Sequence, residues 1–303
     1  MERFIAAEHW STDQRQKTLA VAYLLITDQA RSYFATDQLD KALNSAKKAL
    51  ATKSDYAPAL LVVADVDFEK ADFTGAAEMY GRALRVNPEQ DQVTVLYAGS
   101  LSASLPTKDA LARFAQAAEA APELRERMWF VEEQAGLKLM TGDRAAASSL
   151  AKELQNSEAE AAPMMLARLG WWYYRFGDLI TAADFIGDAV EQRPQVAWMS
   201  AKLGWVLIAQ KKYESAQRRF YDVARPDEAH ARAEIDMGIA VAAWQQGQPD
   251  VAIPNFRWAV GQRAAWLNPK WVTTLYGPQV STANQAIQAE SERQKKAQNT
   301  LHR

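Results

Sequence analysis

The amino-acid sequence predicts an all-α chain built as a stack of one repeated unit, and three observations carry that reading. Alanines 30, 42 and 49 recur as 64, 76 and 83 and again as 98, 110 and 117, each set displaced by 34 residues. Self-similarity at roughly 20 to 50 residues marks a repeat architecture, in which each unit buries its apolar face against its neighbours. Gly142-Asp143 and Gly177-Asp178 each join a residue that accepts left-handed dihedrals to one that can cap the next helix. Pro88, Pro122 and Pro194 stand late in their units, where proline stops a helix because it cannot donate a backbone hydrogen bond and restricts the residue before it.

The register extends through most of the chain. With Tyr23, Ala57 and Asp91 as first positions, the nine alanines fall at the eighth, twentieth and twenty-seventh places. A fourth unit starts near Met128 after a slip of three residues, with Ala135, Ala147 and Leu154 at the matching sites. The fifth, from Pro163, carries Leu166, Leu169, Gly170, Tyr173, Gly177, Asp178, Ala182, Ala189 and Pro194. A sixth runs from Ala197 through Leu203, Gly204, Tyr213, Ala216, Phe220 and Val223, and a seventh from about Ala233 through Ala240, Gly247, Ala252, Phe256 and Ala259. This pattern resembles the tetratricopeptide repeat over roughly residues 23–266. The resemblance implies a right-handed superhelical α-solenoid of helix-turn-helix units. The family's early tryptophan is absent from its usual site in every unit, and Ser54, Ala159, Glu228 and Ala264 replace the late proline.

The residue types explain why such units pack. Antiparallel helices approach closely only where side chains are small, so Gly170 is expected to face Ala182 and Ala189 while Leu169, Tyr173 and Phe185 fill the flanks. The chain divides into a terminal extension (1–22), three regular units (23–124), four units of which the first is irregular (125–266), and a capping helix with a polar tail (267–303). Ser11-Thr12-Asp13-Gln14 reads as a capping box ahead of Leu19, Ala22, Tyr23, Ile26, Ala30 and Tyr33, which predicts an unusually long first helix. Asn268-Pro269 and Gly277-Pro278 frame a short helix over Lys270 to Tyr276, with Trp271 and Leu275 placed to cover the last repeat. Beyond Ser281 the sequence turns polar, and the tail helix is expected to fray after Glu290.

Composition narrows the function classes. Of 303 residues 49% are hydrophobic and 24% charged, with a net charge of −2; a general nucleic-acid binder would carry a strongly basic face. Lys211-Lys212 and Arg218-Arg219 read as solvated helix faces. There is no cysteine, which excludes disulfides, thiolate catalysis and cysteine-based metal sites. No apolar run has the length to span a bilayer, and the longest near the start, Leu19 to Ile26, is interrupted by tyrosine. The opening MERFIAAEHW lacks the apolar core of a signal peptide. The expected compartment is cytoplasmic if the chain is complete as given, and periplasmic if a signal or longer precursor has been removed.

Catalytic motifs are absent from the sequence. His9, His230 and His302 are dispersed and without metal-ligand spacing, and no phosphate loop, dinucleotide fingerprint or nucleophile elbow occurs. The paired acids Glu132-Glu133 and Glu158/Glu160 read as solvated helix faces. The chain is therefore expected to be a non-enzyme with no cofactor and no metal.

The resemblance implies that function lies on a concave surface lined by the first helix of each unit. Those places hold Leu24, Thr27, Arg31 and Phe34 in the first unit and Leu61, Asp65, Phe68 and Glu69 in the second. Later units present Trp129, Leu139 and Met140, then Met164, Trp171, Tyr174 and Arg175, then Trp198, Trp205 and Ile208, and finally Met237, Val241 and Trp244. The candidate partner-binding groove is Trp129, Met164, Trp171, Tyr174, Arg175, Trp198, Trp205 and Trp244. One reading packs some of these rings between neighbouring helices. The other makes them a groove for an apolar helix or extended peptide, since Trp and Tyr offer large contact area at small entropy cost. Asn44, Asn87, Asn156 and Asn255 fall on second helices or turns, so the family's carboxylate clamp and asparagine ladder are missing. The expectation is a non-enzymatic adaptor or scaffold for a partner-protein segment. The alternative is a periplasmic repeat component of a bacterial exopolysaccharide export or synthesis system, its aromatic face meeting glycan. Self-association, with one chain's terminal helix in another's groove, is the third reading.

Overall fold

A computed structural model describes residues 12–223 and 226–301, with side chains for 21–223 and 226–299. The predicted capping box at 11–14, His9 and His302 lie outside the described residues or side chains. Sixteen α-helices and two short 3-10 turns make up the described chain, with no strand among these residues. The helices are α1 (Thr12–Ala35), α2 (Leu39–Thr52), α3 (Ala57–Glu69), α4 (Phe73–Val86), α5 (Asp91–Ser104), α6 (Thr107–Ala120), α7 (Met128–Met140) and α8 (Arg144–Gln155). They continue as α9 (Ala162–Phe176), α10 (Leu179–Gln192), α11 (Ala197–Ala209), α12 (Tyr213–Asp222), α13 (Ala229–Gln245), α14 (Pro249–Gln262), α15 (Pro269–Tyr276) and α16 (Pro278–Leu301). The first fourteen form seven successive pairs, and α15 and α16 follow the last pair.

Small residues set the spacing within pairs. Ala30, Ala42, Ala49, Ala64, Ala76, Ala83, Ala98 and Ala110 are all fully buried. Ala30, Ala42 and Ala46 pack with Val62, Val63 and Val66 of α3, flanked by Tyr33, Phe34 and Leu43. A methyl group at Gly170 would meet Ile186 Cγ1 at 2.7 Å and the Ala182 carbonyl at 3.2 Å, so Ala182 lies where the sequence placed it while Ile186 takes the nearest position. The ring of Phe220 lies across Gly204 and Gly238, where added methyls would approach it to 2.6 and 2.3 Å. The third pair departs by one residue: Ala117 is half-buried, and Phe114 and Ala118 take the buried places.

The turns between paired helices share one backbone device. Asp37, Ala71, Gly142, Gly177, Lys211 and Gly247 occupy the same place in six of the seven units, and all six have φ between 56° and 93°. A left-handed residue ends the first helix and aims the chain back along it. Asp143 and Asp178 then cap their second helices, accepting from Ala145 N at 3.1 Å and Thr181 N at 3.2 Å. The third unit is the exception. Its corresponding residue, Leu105, is extended at φ −122° and ψ 154° because Pro106 follows and excludes the helical region. The residues group into two compact units, 1–105 with 112–127 and 106–111 with 128–303, so that α6 is divided between them.

The tail differs from the expectation. Helix α16 continues past Glu290 to Leu301; Val280, Ala283, Asn284, Ile287 and Ser291 form a buried stripe at helical spacing that carries it past Glu290, and most of the residues beyond are exposed. Arg257 also holds Ser291, donating from Nε to Oγ at 2.8 Å and from Nη2 to its carbonyl at 3.0 Å.

Lys211 is exposed and left-handed, a conformation that costs a non-glycine residue about 1 kcal/mol or more. Replacing it by glycine is expected to raise unfolding free energy by about 0.5–1 kcal/mol in urea titrations, whereas Lys212→Gly at the next position lowers it.

Candidate functional site

The second unit concentrates the aromatic residues that the sequence singled out. Trp171 and Tyr174 on α9 stack with ring centroids 4.3 Å apart. Trp205 on α11 is fully buried against Phe220 at 5.5 Å. Their further partners are this chain's own later residues. Trp266 stacks on Trp205 at 5.9 Å, and Tyr276 lies 4.8 Å from both Trp205 and Trp266. Trp271 meets Trp266 edge-on at 5.1 Å, and Tyr276 meets Trp171 edge-on at 6.1 Å. The 3-10 turn at Ala264–Leu267 and α15 thus carry three rings, five residues apart in sequence, onto the faces of α9 and α11. Such offset and edge contacts suit the ring quadrupoles.

Polar groups fix the same segment. Tyr174 donates its hydroxyl to the Tyr276 carbonyl at 2.7 Å, and Asn284 donates to the Trp266 carbonyl at 2.5 Å. Burial pushes the Tyr174 hydroxyl well above its usual range. Lys202 stands 4.2 Å over the Trp171 ring and 5.2 Å over Tyr276 while pairing with Glu234 at 2.8 Å. Glu234 also accepts from Trp205 Nε1 at 3.2 Å. Burial alone would raise its carboxyl; Lys202, Arg263 and the Tyr276 hydroxyl overcome that and hold it below the ordinary value. Trp266 and Trp271 are held by packing, for neither indole nitrogen has an acceptor among the described residues.

The remaining members of the predicted groove are placed separately. Trp129 lies under the Arg168 guanidinium at 4.6 Å, and Arg175 lies over Trp172 at 4.7 Å. Burial lowers the Arg175 guanidinium to about 10. Met164, Trp198 and Trp244 are half-buried and make none of the cluster's ring contacts among the described residues.

Glu132 and Glu133 overturn the expectation of a solvated face. Both are buried, at 0% and 2% exposure, whereas Glu158 and Glu160 are exposed. Arg168 bridges the pair, bonding Glu132 Oε2 at 2.7 Å through Nε and Glu133 Oε1 through Nη2, and Trp172 donates to Glu133 Oε2 at 3.1 Å. The physical reason lies in a close fit. Gly136 leaves room for the Trp172 indole, which a methyl there would meet at 2.3 Å, so α7 and α9 seal the carboxyls between them. Two buried carboxyls share one arginine, and Glu132 Oε1 has no hydrogen-bond partner. Burial, then the neighbouring Glu133, push the Glu132 carboxyl up to about 8. Burial also raises Glu133, against the opposing pull of Arg168 and Trp172.

The first unit offers a different surface. An open cleft of about 350 Å³ lies between α3 and α5, lined by Leu61, Asp65, Gln90, Asp91, Gln92, Val93 and Leu96. Leu61 and Asp65 are two of the positions that the sequence assigned to the binding face. Tyr80 donates its hydroxyl to Asp65 Oδ1 at 2.6 Å, and burial raises the Asp65 carboxyl to about 6. Asp91 pairs with Arg127 at 2.8 Å. Among the described residues no group of three or more histidines and acids could hold a metal ion, and no helix is long and apolar enough to cross a membrane.

Removing Trp266 empties the centre of the aromatic cluster, and Trp266→Ala is expected to cost the second unit about 3–5 kcal/mol by denaturant titration. Glu132 gives a pH signature. A carboxyl raised in the folded state stabilises folding below its unfolded value of 4.5 and loses that contribution as pH rises towards 8. The melting temperature should fall between about pH 5 and about pH 9, and Glu132→Gln should flatten that fall. An unchanged slope in the variant would place the titration elsewhere.

No family model matches the chain, and no curated protein matches it. Solved structures do. A tetratricopeptide repeat protein from Parabacteroides merdae is 14% identical, with 86% of this chain and 99% of that one covered and a TM-score of 0.45. PilF of Pseudomonas aeruginosa is 15% identical, with 90% and 99% covered and a TM-score of 0.42. The apo form of RapI is 15% identical, with 91% and 99% covered and a TM-score of 0.46. At these values the likenesses say nothing of this chain's partners. Its own helix pairs, their 34-residue register and their left-handed turns make the fold a tetratricopeptide-type α-solenoid.

Proposed function

We propose that the chain is a non-enzymatic adaptor that docks a segment of a partner protein on the faces of its first helices. The observation that carries this reading is the open cleft between α3 and α5, in which Leu61 and Asp65 stand at binding-face positions of their repeat. In the second unit the corresponding aromatic face holds a chain segment already. Trp171, Tyr174 and Trp205 receive residues 264–277 through rings and a backbone carbonyl, which supports the idea that such faces recognise polypeptide. Trp129, Met164, Arg175, Trp198 and Trp244 complete the surface on which partner contacts are proposed to extend. A glycan-guiding role would need the stacked rings open to sugar. With Trp205 buried under Trp266 and Tyr276, the protein-segment reading has the better support.

Photocrosslinking tests it. A photoreactive residue at Gln92 in the cleft is expected to capture one protein partner in cells, while the same residue at the exposed outer position Glu78 captures none. Equal capture from both positions, or none from Gln92, would overturn the assignment.

A further inference from the structure

We infer that the cleft of the first unit accepts a lysine or arginine side chain flanked by aliphatic residues, with the Asp65 carboxylate as its anchor. This rests on the docking reading above and names the chemistry of the docked segment. Leu61, Val93 and Leu96 supply apolar wall, and Asp65, Gln90 and Gln92 supply acceptor oxygens. A long cationic side chain is the group that satisfies both, because its methylene stem lies along apolar surface while its head seeks oxygen. The charges around the cleft leave a place for it. Asp91 is taken by Arg127 at 2.8 Å, and Arg31 is paired with Asp28 at 3.9 Å. Asp65 has one hydrogen-bond donor, Tyr80, and no cation within ion-pair distance among the described residues. Glu69 stands one turn further along α3 and adds negative potential at Asp65, while Arg31 on α1 reduces it. A half-buried carboxylate that lacks a counter-charge gains most from a cation brought in with its own apolar flanks, since both are desolvated together.

The choice of sign also separates this cleft from the rest of the molecule. In the second unit three acids already have cations: Glu133 and Glu132 have Arg168, and Glu234 has Lys202. Half-buried Asp65 instead has a neutral hydroxyl for its hydrogen-bond partner among the described residues. Burial raises it to about 6, so it remains ionised at neutral pH and becomes neutral in mild acid.

The test uses the full chain, isotopically labelled, titrated with acetyl-Leu-Lys-Leu-amide and with the same peptide carrying norleucine in place of lysine, and followed by amide shifts of Gln92, Val93 and Leu96. The lysine peptide is expected to bind about tenfold more tightly, in keeping with a hydrogen bond to a charged group. That preference should fall below about twofold in Asp65→Asn, where the amide oxygen still accepts from Tyr80, and as pH drops through about 6, where Asp65 is protonated. Gln92→Lys, an exposed change at the rim, should abolish lysine-peptide binding without altering the melting temperature. Equal binding of the two peptides at the cleft overturns the cation assignment while leaving the docking reading in place. Shifts confined to residues elsewhere, or no shifts at all, overturn the cation assignment, and the Gln92 crosslinking result then decides the docking reading separately.

Discussion

Close approach of helix backbones at a fixed register is the constraint on which everything else in this protein rests. Each pair meets through alanines with no exposed surface, and the larger side chains are seated where a glycine yields, as Phe220 across Gly204 and Gly238 and Trp172 beside Gly136. A protein interior is packed nearly as densely as an organic crystal, so a methyl added at such a point has nowhere to go. The left-handed residue at one place in six units turns the chain back at constant geometry. First helices therefore present the same register positions again and again, and that repetition gives the chain the faces on which docking is proposed.

The two units use those faces differently. In the second, five-residue spacing carries Trp266, Trp271 and Tyr276 onto α9 and α11, and several polar groups around them are matched: a tyrosine hydroxyl to a carbonyl, a lysine to a glutamate, a guanidinium to an indole face. In the first, one carboxylate lining an open cleft has a tyrosine hydroxyl for its hydrogen-bond partner among the described residues. Desolvation explains why such differences matter. A buried carboxyl costs several kcal/mol unless it is paired or protonated, and the chain answers that cost with Arg168 and a retained proton at Glu132, with Lys202 at Glu234, and at Asp65 with a raised carboxyl facing solvent in the cleft. On the proposed docking reading, a partner's cation completes the electrostatics at Asp65.

Much of the fold was legible in the sequence because its signals are local or periodic. The 34-residue alanine register, the Gly-Asp turns and Asn268 as a helix cap each depend on a few neighbouring residues, and each stands in the structure where it was read. The irregularities were less legible. Pro106 replaces the left-handed turn of the third unit and shifts the buried stripe of α6 from Ala117 to Ala118; the period alone gives no notice of this. The tail's buried stripe was only partly visible: Ala283 and Ile287 are apolar, but Asn284 and Ser291 bury beside them without looking hydrophobic.

The sequence by itself determined the repeat, the helix pairs, their turns and the set of residues on the first-helix faces, since helical periodicity and backbone sterics act over short distances. Only the tertiary structure decided what meets those faces. Glu132 and Glu133 read as solvated until Trp172, 36 residues away from the nearer pattern position at Gly136, closes over them. Trp171, Tyr174 and Trp205 read either as packing between neighbouring helices or as a groove, and a segment from about 60 to 100 residues later folds onto them instead. Contacts between residues so far apart in the chain depend on shape and desolvation, which no local pattern encodes.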